Sequence, residues 1–392
     1  MPLRNQFQHQ LYPTQPQITP RLLTLTHDQY SVEDLRDLHA RTGVVKVLLV
    51  HGTFVGDDPF GIVEMLNTVS RALPAGSQFL DQLADEVRER TRPLTSGTLK
   101  DIANYFDGFR DQFQELVGND PQVELPAHLW SSQNHHLARA ELAVNLIARL
   151  LSINPASDER VLFWGHSHAG NAFALMSNLL ANDKQWVRSF FAAMSSECND
   201  VCRAVREHLL SSPSPHPLAQ SVDFVAFGTP VRYGWDRAGY RTLTHVLHHR
   251  NPDPASPFRT KPLFPPHLLN DVLSATYGDW VQAFAIAGTD TTSLPAAEQN
   301  NALTTLLQRN LPAPQHGLDT RFLFPQIVRD ACAWWKTGTR CHTDGVNLLV
   351  NYIPSGSRTV IGQPIEGALL GHGVATTQVW LPAHLHLIMQ HL

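Results

Sequence analysis

Residues 161–170 constrain the fold of this chain more than any other stretch. Four apolar residues are followed by Gly-His-Ser-His-Ala-Gly, and a helix-favouring segment comes next. This follows the G-x-S-x-G pattern, with Ala169 at the place of the second glycine and Gly170 behind it, and there a serine lies on a sharp turn between a strand and a helix. We expect a Cβ at Gly165 or Gly170 to strike the neighbouring helix or strand, while Ser167 tolerates strained backbone angles. The stretch predicts a serine hydroxyl exposed at the carboxyl edge of a sheet.

Strands alternate with helical stretches along the chain. Val44–Val50 is β-branched and almost wholly apolar, as is typical of a strand buried on both faces of a parallel sheet. Further strands are predicted at residues 121–131, 159–166, 221–227, 281–287 and 359–361, and helices at residues 31–41, 78–90, 98–117, 169–180 and 383–392 and behind Asn134. The segment 235–270, rich in histidine and proline, is predicted to be loop. The alternation predicts an α/β fold with a mostly parallel central sheet flanked by helices, whose functional edge lies at the carboxyl ends of the strands.

Two segments are longer than the connections between neighbouring elements need to be. We expect residues 1–43 to form an N-terminal arm and helix, and residues 44–392 to form one α/β domain. Within that domain, residues 55–120 are predicted to be a helical cap insertion and residues 291–340 a lid insertion. The apolar stripe of the first insertion fits a cap over an apolar pocket and equally a helix pair packed on the core.

Composition excludes several classes of function. The chain has 392 residues, of which 43% are hydrophobic and 17% charged, and its net charge of −5 leaves no basic footprint for a nucleic acid. It has no apolar run long enough for a transmembrane helix, and its polar first 20 residues lack the apolar core of a signal peptide. We therefore expect a cytoplasmic protein, or one exported by a route that needs no signal peptide.

The cysteines and most histidines are interpreted as structural. Cys198 and Cys202 have a spacing that suits a metal, but no other ligand at a matching spacing completes a site, so they are interpreted as thiols. No metal site and no cofactor are predicted. His166 and His168 flank the serine and are interpreted as filler positions, because side chains at adjacent positions point away from its hydroxyl.

A serine hydroxyl needs a base to take its proton, and that base is usually a histidine oriented by a carboxylate. His372 is the best candidate base, since it comes late in the chain, behind the last predicted strand, between two glycines. Two carboxylates are candidates for the acid. Asp344 lies in a Thr-Asp-Gly-Val turn, and Asp290 follows the strand predicted at residues 281–287. Either aspartate has the alternative of capping its own turn.

These segments resemble the α/β-hydrolase superfamily, and within it bacterial esterases and lipases. The resemblance rests on His51-Gly52-Thr53-Phe54, on Gly-His-Ser-His-Ala-Gly-Asn from Gly165, on Gly228-Thr229-Pro230, on Thr343-Asp344-Gly345-Val346 and on the later His372. The seven-residue elbow differs from the subgroup form Gly-His-Ser-His-Gly-Gly-Asn at one position, where Ala169 replaces a glycine. Residues 130–139 are similar to a Trp-Ser-Gly-x-Asn…Arg stretch of that subgroup, with Ser132 in place of glycine.

The resemblance implies an α/β-hydrolase fold and a triad of Ser167, an acid and His372. The Asp-Gly-Val turn is similar to the acid turn of bacterial lipases and favours Asp344, with Asp290 as the alternative. The oxyanion hole would be formed by the backbone N–H of Thr53, or of Phe54, and that of His168.

The function expected from these residues is hydrolysis of carboxylic esters, either small molecules or lipids, through an acyl-enzyme. The same triad would serve an acyltransferase or an amidase, and the fold without activity would serve as a binding module. Acyl preference and oligomeric state are left open by the sequence.

Overall fold

A computed structural model of the chain describes the residues to which all structural statements below refer. They are residues 20–26, 32–52, 105–126, 135–194, 198–230, 233–250, 254–255, 257, 274–284, 297–307, 345–353, 359–360, 363–364 and 370–392.

The centre of the molecule is a seven-stranded sheet in which every neighbouring pair is parallel. Its strands are β1 (Arg21–Thr26), β2 (Val44–Val50), β3 (Gln122–Glu124), β4 (Arg160–His166), β5 (Val222–Phe227), β6 (Thr242–His248) and β7 (Val346–Ile353), and their order is β1-β7-β6-β5-β4-β2-β3. A separate antiparallel pair joins β8 (Thr359–Val360) to β9 (Gln363–Pro364). The predicted α/β class with a mostly parallel sheet is confirmed.

Helices cover both faces of the sheet. They are α1 (Val32–Arg36), α2 (Leu38–Thr42), α3 (Asp107–Val117), α4 (His136–Ile153), α5 (Ala169–Ala181), α6 (Lys184–Ala193), α7 (Asp200–Ser211), α8 (Trp280–Phe284), α9 (Ala297–Leu307) and α10 (Leu381–Met389). Short 3₁₀ helices span Pro217–Ser221, Arg237–Gly239, Gly373–Thr376 and Gln378–Trp380.

Strand β4 shows how the two layers are built, because its side chains alternate between two apolar clusters. Val161 and Phe163 belong to the cluster formed with α4, α5 and α7. Leu162 and Trp164 belong to the cluster on the other face, with α3 and α10. All seven residues of β4 are buried, so the strand lies in the middle of the core and its carboxyl end is held rigidly.

Three sequence-based predictions about strands are wrong. Within residues 281–287 the described part is helical, since α8 spans Trp280–Phe284, and within residues 235–270 the structure contains β6. Thr242, Thr244, His245 and His248 interrupt the apolar pattern of β6, yet the last three are buried in the sheet, which is why the segment reads as loop. Residues 359–360 pair only with β9, and the last strand of the main sheet is β7.

Cys198 and Cys202 form a disulfide, so their interpretation as thiols is wrong. Their Cα atoms are 5.1 Å apart, within the range that a disulfide spans. The pair brackets the start of α7, where Asn199 is the N-cap and accepts a hydrogen bond from the N–H of Cys202.

The described residues include no helix whose length and hydropathy would let it cross a membrane. The N-terminal arm contributes β1 to the edge of the sheet beside β7. Of the predicted insertions, α3 lies in the first and α9 in the second. The helix predicted at residues 78–90 and the whole of residues 308–340 lie outside the described residues.

Candidate active site

Ser167 lies on the turn between the end of β4 and the start of α5, as the sequence predicts. The residue is only 1% exposed, so the prediction of an exposed hydroxyl is wrong, because neighbouring residues such as Gly52 pack against the turn. Its φ is +56°, in the left-handed region that non-glycine residues rarely occupy. Two hydrogen bonds hold this backbone, one with the last residue of β5 and one with the segment that follows it. The Ser167 N–H donates to the carbonyl of Phe227 at 2.8 Å, and the hydroxyl of Thr229 donates to the carbonyl of Ser167 at 2.9 Å. The neighbouring strand therefore stabilises the strained turn.

The glycines around the turn are required by close packing. A Cβ at Gly165 would lie 2.4 Å from Cε2 of Phe173 on α5, and a Cβ at Gly170 would lie 2.1 Å from Oγ1 of Thr229. Cβ atoms in proteins essentially never come this close to a non-bonded atom, so both positions exclude a side chain unless the surrounding residues move. The steric reason predicted for the two glycines is confirmed.

The loop that follows β2 also reaches Ser167. A Cβ at Gly52 would lie 2.6 Å from Cβ and 3.3 Å from Oγ of Ser167, so the backbone of Gly52 passes directly beside the serine side chain. The ring Nδ1 of His51 donates to the carbonyl of Gly52 at 2.8 Å, and burial lowers the pKa of His51. Thr53 and Phe54, the predicted oxyanion-hole residues of this loop, lie outside the described residues.

His168 is the N-cap of α5, immediately after the serine. The side-chain amide of Asn171 donates to Nδ1 of the His168 ring at 3.0 Å, so the ring lies beside the first turn of α5. The first turn of α5 carries backbone N–H groups and the positive end of the helix dipole toward Ser167, where they favour negative charge.

His372 forms a hydrogen bond with a carboxylate that was not predicted from the sequence. Its Nδ1 lies 2.7 Å from Oδ2 of Asp279, and both side chains are buried. A carboxylate only accepts, so Nδ1 carries the hydrogen. In the neutral ring the lone pair that can accept a proton is then on Nε2. The pair has the bonding of a base held by an acid.

The same turn that holds Ser167 packs against this pair. A Cβ at Gly228 would lie 2.7 Å from Oδ2 of Asp279 and 3.2 Å from both Cε1 and Nδ1 of His372. Gly228 follows Phe227, whose carbonyl accepts the Ser167 N–H, and precedes Thr229, which donates to Ser167. Three consecutive residues therefore connect the serine turn to the His372–Asp279 pair.

Asp279 is fixed by one hydrogen bond from its backbone and one to its carboxylate. Its N–H donates to the carbonyl of His248 at the end of β6, at 3.0 Å, and its Oδ1 accepts from the N–H of Gln282 in α8, at 2.7 Å. One carboxylate oxygen thus starts the helix and the other receives His372.

The carboxylate in contact with Nδ1 of His372 is Asp279, which was not among the candidates from sequence. The two candidates, Asp344 and Asp290, lie outside the described residues, so their role stays a prediction. Asp279 was passed over because the strand wrongly predicted at residues 281–287 puts it before that strand and not behind it. The available signal was Gly278-Asp279-Trp280, a turn glycine and an N-cap aspartate before a helix.

His166 and His168 have specific partners, in contrast to their interpretation as filler. The ring centroid of His166 is 4.4 Å from that of His372, and its Nε2 lies 3.0 Å from the main-chain carbonyl of His372. His168 has the contact with Asn171 described above.

The described residues contain no group of three or more histidine, cysteine, aspartate or glutamate side chains arranged to hold a metal ion.

No protein-family model, no curated protein and no solved structure matches this chain.

Proposed function

We propose that the chain is a serine hydrolase that cleaves carboxylic ester bonds, with Ser167 as nucleophile, His372 as base and Asp279 as acid. The observation that carries the proposal is the buried hydrogen bond between His372 and Asp279, packed on the turn that holds Ser167. A serine on a strained strand-to-helix turn beside a carboxylate-oriented imidazole is the arrangement that activates a hydroxyl for attack on a carbonyl.

The proposed reaction begins when the Ser167 hydroxyl attacks the ester carbonyl and Nε2 of His372 accepts its proton. Asp279 keeps Nδ1 protonated and stabilises the imidazolium that forms. The N–H of His168 holds the oxyanion together with that of Thr53 or Phe54, and each such donor is worth about 3–4 kcal/mol of transition-state stabilisation. His372 then protonates the leaving alcohol, and water repeats the sequence on the acyl-enzyme to release the acid.

The sheet topology supports placing this chemistry in an α/β-hydrolase fold. Ser167 follows β4, Asp279 comes after β6 and His372 after β7, so the three lie at the carboxyl ends of parallel strands and in the chain order Ser, Asp, His. Helix α3 packs on one face of the sheet and α9 belongs to the cluster on the other face, which supports core packing for these two helices over a cap or lid. We propose that the remainder of the two insertions selects the acyl chain.

Labelling with a fluorophosphonate probe tests the proposal most directly. Wild type should be labelled at Ser167 and should hydrolyse p-nitrophenyl esters, and a panel from acetate to palmitate places the preferred acyl length. Ser167→Ala should lose both labelling and turnover while keeping the fold.

Ser152→Ala is the matched control, since Ser152 is exposed on α4 and bonds only locally to Arg149. It should be labelled like wild type. An unlabelled wild-type protein, or a Ser167→Ala variant with wild-type turnover, would show that the assignment is wrong.

A further inference from the structure

The loop that carries His372 presents three consecutive carbonyls, and each accepts a hydrogen bond from a different element. The Leu370 carbonyl accepts from the N–H of Trp280 at 3.0 Å. The Gly371 carbonyl is 2.9 Å from Nδ1 of His248, and the His372 carbonyl is 3.0 Å from Nε2 of His166. Two of the three donors are buried histidine rings.

The loop has a backbone that needs such support. Leu370 has a φ of +58° and Gly371 a φ of +82°, so two successive residues are left-handed. A Cβ at Gly371 would lie 2.7 Å from the carbonyl oxygen of Gly278, so the loop is pressed against the segment that leads into Asp279. Left-handed backbone is strained, and it persists only where contacts with the surrounding structure hold it in place.

The two histidines sit symmetrically about β5. His166 is the last residue of β4 and His248 the last residue of β6, and β5 lies between these strands. The turn that leaves β5 begins with Gly228, which packs against the His372 ring. The His372 ring therefore packs on Gly228. The carbonyls of His372 and Gly371 are held by hydrogen bonds from the two strands that flank β5.

The bonding partners fix which ring nitrogen of each histidine carries its hydrogen. A carbonyl only accepts, so His248 is protonated at Nδ1 and His166 at Nε2. The two rings hence donate from different nitrogens, and each donor lies on the last residue of a central strand.

We propose that His166 and His248 are positioning residues for the base: their N–H groups clamp the carbonyls of His372 and Gly371 and so hold the His372 imidazole on Asp279. Neither ring takes part in proton transfer. The proposal deepens the function proposed above and rests on it, because it assigns the clamp to the same base.

Substitutions that keep or remove the donor atom test the clamp. The amide nitrogen of glutamine replaces Nε2, and that of asparagine replaces Nδ1. His166→Gln and His248→Asn should keep most of the wild-type turnover, whereas His166→Phe and His248→Phe should each lower kcat about 100-fold, the loss expected when a catalytic group is displaced by about 1 Å.

His245→Phe is the matched control for loss of a buried imidazole. His245 lies on the same strand as His248, and its ring packs at 5.5 Å from that of Trp235. It should retain turnover close to wild type. Equal losses in His245→Phe and His248→Phe, or wild-type turnover in both His166→Phe and His248→Phe, would overturn the clamp.

Nitrogen-15 NMR of the wild-type protein tests the same geometry without relying on activity. His166 should appear as the neutral Nε2–H tautomer and His248 as the neutral Nδ1–H tautomer, and the Nδ1 proton of His372 should be strongly downfield because it faces a carboxylate. That signal should survive in His166→Gln and disappear in His166→Phe.

The two readouts separate the failures. If the wild-type protein hydrolyses no ester but shows these tautomers and the His372 signal, the proposed function fails and the clamp stands. If the protein is active but either ring has the other tautomer, the clamp is wrong and the hydrolase remains.

Discussion

A buried aspartate pairs with a basic side chain at each end of the central sheet, and the two pairs are held in different ways. At the amino ends, Asp223 of β5 lies 2.6 Å from the guanidinium of Arg160, the first residue of β4. At the carboxyl ends, Asp279 lies 2.7 Å from His372. Both pairs are fully buried, so burial and distance alone do not distinguish them.

The backbone around the two pairs does distinguish them. Arg160 and Asp223 belong to strands β4 and β5, and their side chains also contact the carbonyls of Thr42 and Leu392 and the hydroxyl of Thr242. The left-handed residue beside this pair is a glycine, Gly43, whose carbonyl accepts from the Arg160 N–H. The other pair is surrounded by left-handed residues, among them Ser167, Gly228 and Leu370. A guanidinium never gives up its proton, whereas an imidazole can. The Arg160–Asp223 pair is thus a fixed contact between two strands, whereas the His372–Asp279 pair is held at some conformational cost, as the proposed proton transfer requires.

Replacing Asp279 should give the largest effect. Asp279→Asn keeps the shape of the side chain but no longer fixes Nδ1 as the protonated nitrogen, so kcat should fall about 10⁴-fold, or about 5.5 kcal/mol. Steady-state hydrolysis of a p-nitrophenyl ester measures the loss. The matched variants are Asp344→Asn and Asp290→Asn. If Asp344→Asn loses turnover and Asp279→Asn keeps it, then Asp344 is the acid, as the sequence predicts, and Asp279 is not.

Replacing Asp223 should act on stability and not on turnover. Asp223→Asn leaves the Arg160 charge buried without its counter-charge, and this should lower the free energy of unfolding by about 3–5 kcal/mol. Urea unfolding measures the change, and kcat per folded molecule should stay at the wild-type value. Combining Arg160→Met with Asp223→Leu removes both charges and should recover most of the stability. If Asp223→Asn instead lowers kcat strongly and leaves the free energy of unfolding unchanged, the Arg160–Asp223 pair is not purely structural and the contrast with the His372–Asp279 pair fails.

Filling the close contact at Gly170 should have a smaller effect. The new Cβ of Gly170→Ala meets Oγ1 of Thr229, and the shift needed to fit it should cost about 1–3 kcal/mol of unfolding free energy. Gly108→Ala in α3 is the control, because its Cβ meets only the flexible end of Gln378, and alanine should stabilise the helix by about 0.5–1 kcal/mol. Thermal unfolding of the two variants should therefore shift in opposite directions.

The smallest effect expected is a pH dependence from His216, which precedes β5 at the amino end. Burial lowers its pKa to about 4, with smaller contributions from His208 and Lys184. The unfolded chain takes up this proton near pH 6.5 and the folded chain only near pH 4, so stability should decline as pH falls between these values and level off below. Urea unfolding at pH 8 and pH 5 should show a smaller difference in His216→Gln than in wild type. An unchanged difference would exclude His216 as a cause.

The serine turn could be predicted from sequence because its information is local. The apolar residues before Gly165, the serine and the small residues behind it follow one another, and β4, the turn and α5 lie where the pattern puts them. The same holds for Val44–Val50, where one apolar run becomes one buried strand.

The partner of His372 could not be predicted in this way, since it depends on which strand precedes the acid. Thr244, His245 and His248 are polar but buried, and tertiary packing, not local hydrophobicity, makes them a strand. The apolar residues from Val281 were instead taken for that strand, although Asp279 caps a helix there. Nor does any local pattern reveal that His166 reaches a carbonyl more than two hundred residues further along the chain.

The pairing of β1 with β7 has a consequence for how the molecule is made. Six residues of β1, from Arg21 to Thr26, are matched with β7, from Leu348 to Ile353, and almost the whole chain separates the two strands. Contacts between such distant parts carry a high entropic cost of loop closure and form late. Strand β1 therefore pairs only after β7 has been synthesised, and until then this border of the sheet is an open edge that can pair with other chains.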